Sequence, residues 1–196
     1  MTFPNLYCYD FSGEKRSLPE LRYLLGEQRY GYCERMKSEK AGLCSAYAFL
    51  LLRYALCREF GFRDIPLFTF GEHGKPFLSQ RPDICFNMSH AGERVVCAVS
   101  KRHVGVDIQD IRKVSGRIGK FFLNAAELEQ VGTITDEAER NSELCRLWCI
   151  KESIGKCTGD GYAGGFTKFD ANGYVSSGKV RWTFRDGFYI SVCGGE

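Results

Sequence analysis

Apolar residues at Leu43, Ala46, Tyr47, Leu50, Leu51, Tyr54 and Leu56 recur with a period near 3.6. That spacing predicts a long amphipathic helix from about Glu34 to Phe60, closed by Gly61. A second helix is expected from somewhere after Thr135 to Cys157. Its positions Leu144, Leu147, Trp148 and Ile154 share a face, and Gly159 follows its end. Between them the pattern is strand-like. "FPNLYCYD" (3–10) comes first, then "IPLFTF" (65–70), the turn "GEHGKP" (71–76), "ICFNMSH" (84–90), "RVVCAVS" (94–100) and "HVGVDIQ" (103–109). In the last of these Val104, Val106 and Ile108 alternate with Gly105, Asp107 and Gln109, which puts Asp107 and Gln109 on one face. Asn124 with Glu127 three residues on reads as a capping box. In the tail, "FTKFD", "YVSS", "VRWTF" and "FYISVC" read as short antiparallel strands. The layout is α+β.

Composition narrows the classes. At 196 residues the chain can bury a core as one domain or two small lobes. A net charge of +3 is too mild to indicate nucleic acid, though local basic clusters can still bind phosphates. The longest apolar run, "AYAFLLLRYAL", is broken by Arg53 and falls short of the roughly 18 residues of a spanning segment, so no membrane is expected. No N-terminal signal pattern is evident. The ten cysteines include no CxxC pair, and Cys145 with Cys149 has no second pair at ligand spacing. They read as small buried hydrophobes in a reducing cytoplasm.

Three stretches carry candidate chemistry: "FNMSH" (86–90), "VGVDIQDIR" (104–112) and "LWCIKESIGK" (147–156). Read singly, Asp107 is a carboxylate near a strand end and His90 a polar loop residue. Glu152 and Lys156, four apart, make an exposed helix ion pair of little energetic value. In this order, with Gly74-Lys75-Pro76 upstream, the set resembles the 4′-phosphopantetheinyl transferases, and within them the surfactin-synthetase-activating type. The resemblance spans roughly residues 70–165, from "GKP" through "NxSH" and the Asp107 motif to "WxxKExxxK" and "CTGDGY".

That resemblance implies two similar α/β lobes related by a pseudo-twofold axis, with antiparallel sheets and a long helix each. The lobes would cover residues 1–101, on the coenzyme A side, and 102–196, carrying metal and catalysis. It implies Mg²⁺-dependent transfer of phosphopantetheine from coenzyme A to a serine of an acyl or peptidyl carrier protein, releasing adenosine 3′,5′-bisphosphate, by a cytoplasmic monomer. Asp107 and Glu152 match the metal carboxylates, and Glu152 also the general base. Lys156 would reach the transferring phosphate. Ser89 and His90 match contacts to the coenzyme A phosphates, Lys75 the loop along the adenine nucleotide, and Lys151 a further cofactor contact. Arg35, Lys37 and Lys40 are candidates for the 3′-phosphate. Arg112, Lys113, Arg117 and Lys120 would face an acidic carrier.

One departure stands out. Many relatives place a second carboxylate two residues after the Asp; here Gln109 stands instead. An amide oxygen can ligate a metal or hold its water but adds no charge, so a weaker site is expected, with an altered balance between Mg²⁺ and Mn²⁺. Two other classes remain open on the residues: a non-catalytic coenzyme A or carrier-protein binding module, and a metal-dependent phosphohydrolase.

Overall fold

The computed structural model describes residues 3–71, 74–112, 116–159 and 165–194, with the side chains of 116–118 outside that description. Along the chain run β1 (Asn5–Asp10), a 3-10 turn (Pro19–Leu21), α1 (Arg22–Leu25), α2 (Glu27–Glu34) and α3 (Glu39–Phe60). Then come β2 (Phe68–Phe70), β3 (Pro76–Leu78), β4 (Cys85–Ala91), β5 (Arg94–Ser100) and β6 (Val104–Asp110). The remainder is α4 (Gly116–Phe122), α5 (Ala125–Gly132), α6 (Glu137–Thr158), a 3-10 turn (Phe166–Lys168), α7 (Ala171–Ser176), β7 (Val180–Arg185) and β8 (Phe188–Gly194).

Two three-stranded antiparallel sheets form the centre, in the orders β1-β5-β4 and β6-β8-β7, and β2 pairs β3 in a separate hairpin. The pleat of β5 divides its residues between two cores. Val95, Cys97 and Val99 pack with α3 residues such as Phe49, Leu52 and Leu56. Val96 and Ala98 pack instead with Val104, Val106, Ile108, Ile190 and Val192 of the second sheet. The layers are therefore α3, first sheet, second sheet and α6. The chain passes from one sheet to the other through residues 101–103.

The two long helices have matching punctuation. Ser38 caps α3, accepting from the Ala41 N–H at 3.2 Å, and Gly61 closes it in the left-handed region at φ 65°. Asp136 caps α6, and Gly159 closes it at φ 83°. By length and composition alone α3 is apolar enough to cross a membrane, but its apolar residues are the core of the first half.

Several expectations need correcting. The helix expected from Glu34 begins at Glu39, because Ser38 supplies a cap and α2 ends at Glu34. Residues 65–70 give a strand only at 68–70, and a further strand, Pro76–Leu78, begins on the last residue of the expected turn. Neither "FTKFD" nor "YVSS" is a strand; Phe166–Lys168 forms a 3-10 turn. Asp170 accepts from the Gly173 N–H at 3.1 Å and starts the short helix α7, whose Tyr174 and Val175 pack on the core. α4 had no counterpart in the hydrophobic pattern. The capping box at Asn124 and Glu127 is present as expected.

Candidate active site

The pleat of β6 turns Gly105, Asp107 and Gln109 toward α6, which lies directly upon it. The contact is backbone to backbone. A Cβ on Gly105 would stand 2.0 Å from the Ser153 carbonyl oxygen and 2.4 Å from the Cys157 nitrogen, so only glycine fits there. This approach brings the α6 stripe Cys149, Glu152, Ser153 and Lys156, spaced as one helix face, against the middle of the strand. Ser153 accordingly shares a hydrogen bond with Ser191 of β8 at 2.8 Å, and the Cys149 thiol donates to the Asp107 carbonyl at 3.4 Å.

From the other side β4 closes the cluster. The Asn87 side-chain oxygen accepts from the Val106 N–H at 2.9 Å, which ties β4 to β6 between the two sheets. Two residues on, the Ser89 hydroxyl donates to Asp107 Oδ1 at 2.7 Å. Lys156 Nζ donates to the same oxygen at 2.6 Å, to Ser89 Oγ at 3.1 Å and to the Val106 carbonyl at 3.2 Å. Gln109 Nε2 donates to Asp107 Oδ2 at 3.0 Å. Asp107 is only 2% exposed, while the Lys156 side chain keeps 28% of its surface, so this ion pair opens to solvent on the lysine side. Glu152 is buried one turn before Lys156. His90 follows Ser89 at the exposed end of β4. Desolvation and then the Lys156 ammonium push its pKa below the ordinary 6.5, with Asp107 opposing.

Asp107, Glu152, Lys156, Ser89, His90 and Gln109 are thus brought together from β4, β6 and α6. The other expected residues lie elsewhere. Lys151 is fully buried on the opposite side of α6. Its ammonium pairs with Glu127 Oε2 at 2.6 Å and donates to the carbonyls of Phe169 at 2.6 Å and Phe166 at 3.1 Å. Glu127 also receives the Asn124 and Ala171 N–H groups, so Lys151 serves the interior of the second half and has no open face toward a cofactor. Lys75 Nζ donates to carbonyls at the end of α6. Arg35 sits exposed at the end of α2; Lys37 and Lys40 are exposed around the start of α3. α3 touches the β4–β5 turn, where the Cys44 thiol donates to the Gly92 carbonyl at 3.4 Å. Arg112 and Lys120 are exposed, while Lys113 and the Arg117 side chain fall outside the described residues, as does the "DGY" of the sequence motif.

Three groups escaped the sequence reading. Gly105 and Asn87 sat inside quoted motifs, and a glycine within an alternating strand is itself a signal of close backbone approach. Arg29 had no motif. Its guanidinium lies 4.8 Å from the Tyr32 ring centre and 5.1 Å from that of Phe49, and donates to Ser45 Oγ at 2.7 Å. With Arg35, Phe68 and Phe70 it lines a cavity of about 410 Å³ that shares no lining residue with the Asp107 cluster.

The cluster lies at the border of, and largely within, a segment recognisable in other proteins. A family model for the 4′-phosphopantetheinyl transferase superfamily matches residues 103–188. By that match residues 103–188 resemble the superfamily. Curated transferases of the superfamily extend the similarity. The 4′-phosphopantetheinyl transferase Sfp of Bacillus subtilis (strain 168) is 29% identical over 130 residues, 66% of this chain and 58% of that protein. The transferase psf-1 of Bacillus pumilus is 37% identical over 100 residues, 50% of this chain and 42% of its own length. The transferase gsp of Aneurinibacillus migulanus is 39% identical over 95 residues, 48% and 39% respectively. The matched regions thus span 39% to 58% of these three relatives.

The resemblance implies Mg²⁺ at this cluster. Among the described residues no group of three His, Cys, Asp or Glu side chains is assembled for a metal. Magnesium asks for hard oxygen ligands and keeps several waters, so one or two carboxylates suffice when diphosphate oxygens and water complete its shell. Asp107 and Glu152 meet that requirement, and Gln109 adds an amide oxygen while its nitrogen holds Asp107. Both oxygens of Asp107 already accept hydrogen bonds, so a cation there competes with Lys156 and Gln109 for them.

Proposed function

We propose that this protein transfers the 4′-phosphopantetheine group of coenzyme A to a serine hydroxyl of an acyl or peptidyl carrier protein. The observation that carries this reading is the Asp107–Lys156–Ser89 cluster. It joins the two halves of the molecule at the edge of the superfamily segment and leaves its ammonium partly open to solvent. The 1–101 and 102–196 halves would then act as two lobes with the substrate between them.

In this reading the coenzyme A diphosphate lies over Lys156, which exchanges its contact with Asp107 for phosphate oxygens. Ser89 and His90 donate to the same phosphates from β4. Exposed Lys40, Lys37 and Arg35 receive the 3′-phosphate. Glu152 takes the proton of the carrier serine, directly or through water, as its oxygen attacks phosphorus. The bond from that phosphorus to the bridging oxygen breaks, and adenosine 3′,5′-bisphosphate leaves with the bond's electron pair. A Mg²⁺ ion held by Asp107 and Glu152, with Gln109 beside them, would supply charge neutralisation at the diphosphate. Arg112 and Lys120 offer positive charge to an acidic carrier.

A second reading has one observation in its favour. Gln109 removes a carboxylate and satisfies Asp107 with a neutral donor, as a binding module without chemistry would tolerate. Incubation with coenzyme A, Mg²⁺ and an apo carrier separates the two. Transfer adds roughly 340 Da to the carrier, the mass of the family's phosphopantetheine group, and a carrier lacking its serine gains nothing. Coenzyme A binding without any mass gain on any carrier would replace the transferase with the module.

A further inference from the structure

Lys75 occupies the tight turn between β2 and β3, where the Gly71 N–H donates to the Lys75 carbonyl at 3.0 Å. Its side chain leaves that turn and crosses to the second half. There Nζ donates to the carbonyls of Lys156 at 2.6 Å and Cys157 at 3.2 Å, and reaches that of Val104 at 3.5 Å. An ammonium has three N–H donors, and three carbonyls take them. Two of these belong to the last turn of α6, whose carbonyls have no partner within the helix and carry the negative end of its dipole. The third belongs to the first residue of β6. Lys75 therefore sits where the end of α6 meets the start of β6, beside the Gly105 contact on which Lys156 depends.

We propose that Lys75 is a positioning residue, an inter-half clasp that holds the C-terminal turn of α6 so that Lys156 stays over Asp107. It does not grip a phosphate. The Lys156 carbonyl is fixed by Lys75 while the Lys156 side chain spans from the same turn to Asp107 and Ser89. The turn carrying Gly74 and Lys75 is thereby coupled mechanically to the lysine of the cluster. The kinetic consequence rests on the transferase reading; the mechanical one does not.

The 196-residue chain carries the test, as wild type, Lys75→Met and Lys75→Arg. Hydrogen exchange is followed at the amides of 155–159, beside coenzyme A titration calorimetry and single-turnover transfer to an apo carrier. The clasp predicts about tenfold faster exchange in that turn for Lys75→Met, with partial recovery in Lys75→Arg. Transfer should slow about tenfold while coenzyme A affinity stays within about threefold. Unchanged exchange overturns the proposal, and so does a tenfold fall in coenzyme A affinity, which would make the ammonium a nucleotide ligand. Should Lys75→Met not fold, Lys75→Gln takes its place under the same criteria. Wild type that binds no coenzyme A refutes the transferase reading and leaves the exchange result to judge the clasp.

Discussion

The molecule applies one structural idea twice with different chemistry. Each half lays a 22-residue helix on a three-stranded antiparallel sheet. The face α3 turns to its sheet is hydrocarbon, with Ala48, Phe49, Leu52 and Leu56 against Val95, Cys97 and Val99. The face α6 turns to its sheet is polar along one stripe, where Ser153 meets Ser191 and Lys156 meets Asp107, with Glu152 buried one turn before Lys156, while its opposite flank buries Lys151. Hydrocarbon burial alone would have served both helices equally well for stability. Burying charges costs free energy unless each is paired; Lys151 with Glu127 is sealed inside, whereas Lys156 with Asp107 opens to solvent on the lysine side, where a ligand can reach it.

The sharpest test of the contrast is Lys151→Met. It leaves Glu127 buried beside two N–H donors with no cation, and about 3–5 kcal/mol of unfolding free energy should go in a denaturant titration. Restoring balance with Glu127→Gln in the same chain should return part of it. A single-mutant loss under about 1 kcal/mol would mean that the pair is not the anchor of the second half. The matching change on the apolar side is Leu52→Ala, fully buried, with an expected loss of about 2–4 kcal/mol by the same titration. Transfer by the protein that remains folded should be unaffected, because Leu52 touches none of the cluster.

Gly105→Ala comes next. The added methyl must push the α6 backbone off β6, costing about 1–3 kcal/mol, and it should slow transfer far more than Leu52→Ala does at equal stability. Equal effects of the two would dissolve the distinction between scaffold and seam. The smallest expected change is electrostatic. Since Lys156 lowers the His90 pKa and Asp107 raises it, Lys156→Ala should move the imidazole titration up and Asp107→Asn should move it further down, both read by NMR. An imidazole titration unmoved by either change would place His90 away from the pair.

These residues also show what a sequence can and cannot display. Both long helices were legible because their apolar spacing and closing glycines are local signals, and β4 to β6 because their alternation is local. α7 was misread because Tyr174 and Val175 favour strands, while the deciding signal was the Asp170 cap before a six-residue helix. The two lysines of "IKESIGK" illustrate the limit for the site. Five residues separate them, about 140° around a helix, so they cannot share a face. Which of them meets β6 depends on how the helix sits on the sheet, and the resemblance had made both candidates. The same holds for Lys75: its turn was recognisable, but the α6 carbonyls it reaches lie 81 and 82 residues away.

As a phosphoryl-transfer site, the polar seam between α6 and β6 would depend on the Lys156 ammonium. Lys156→Met tests it most directly, compared with wild type in single-turnover transfer from coenzyme A to an apo carrier, with folding checked by circular dichroism. A phosphate contact at Lys156 predicts a folded protein whose transfer rate falls by about 10²–10³-fold. A folded variant transferring within about threefold of wild type would contradict it.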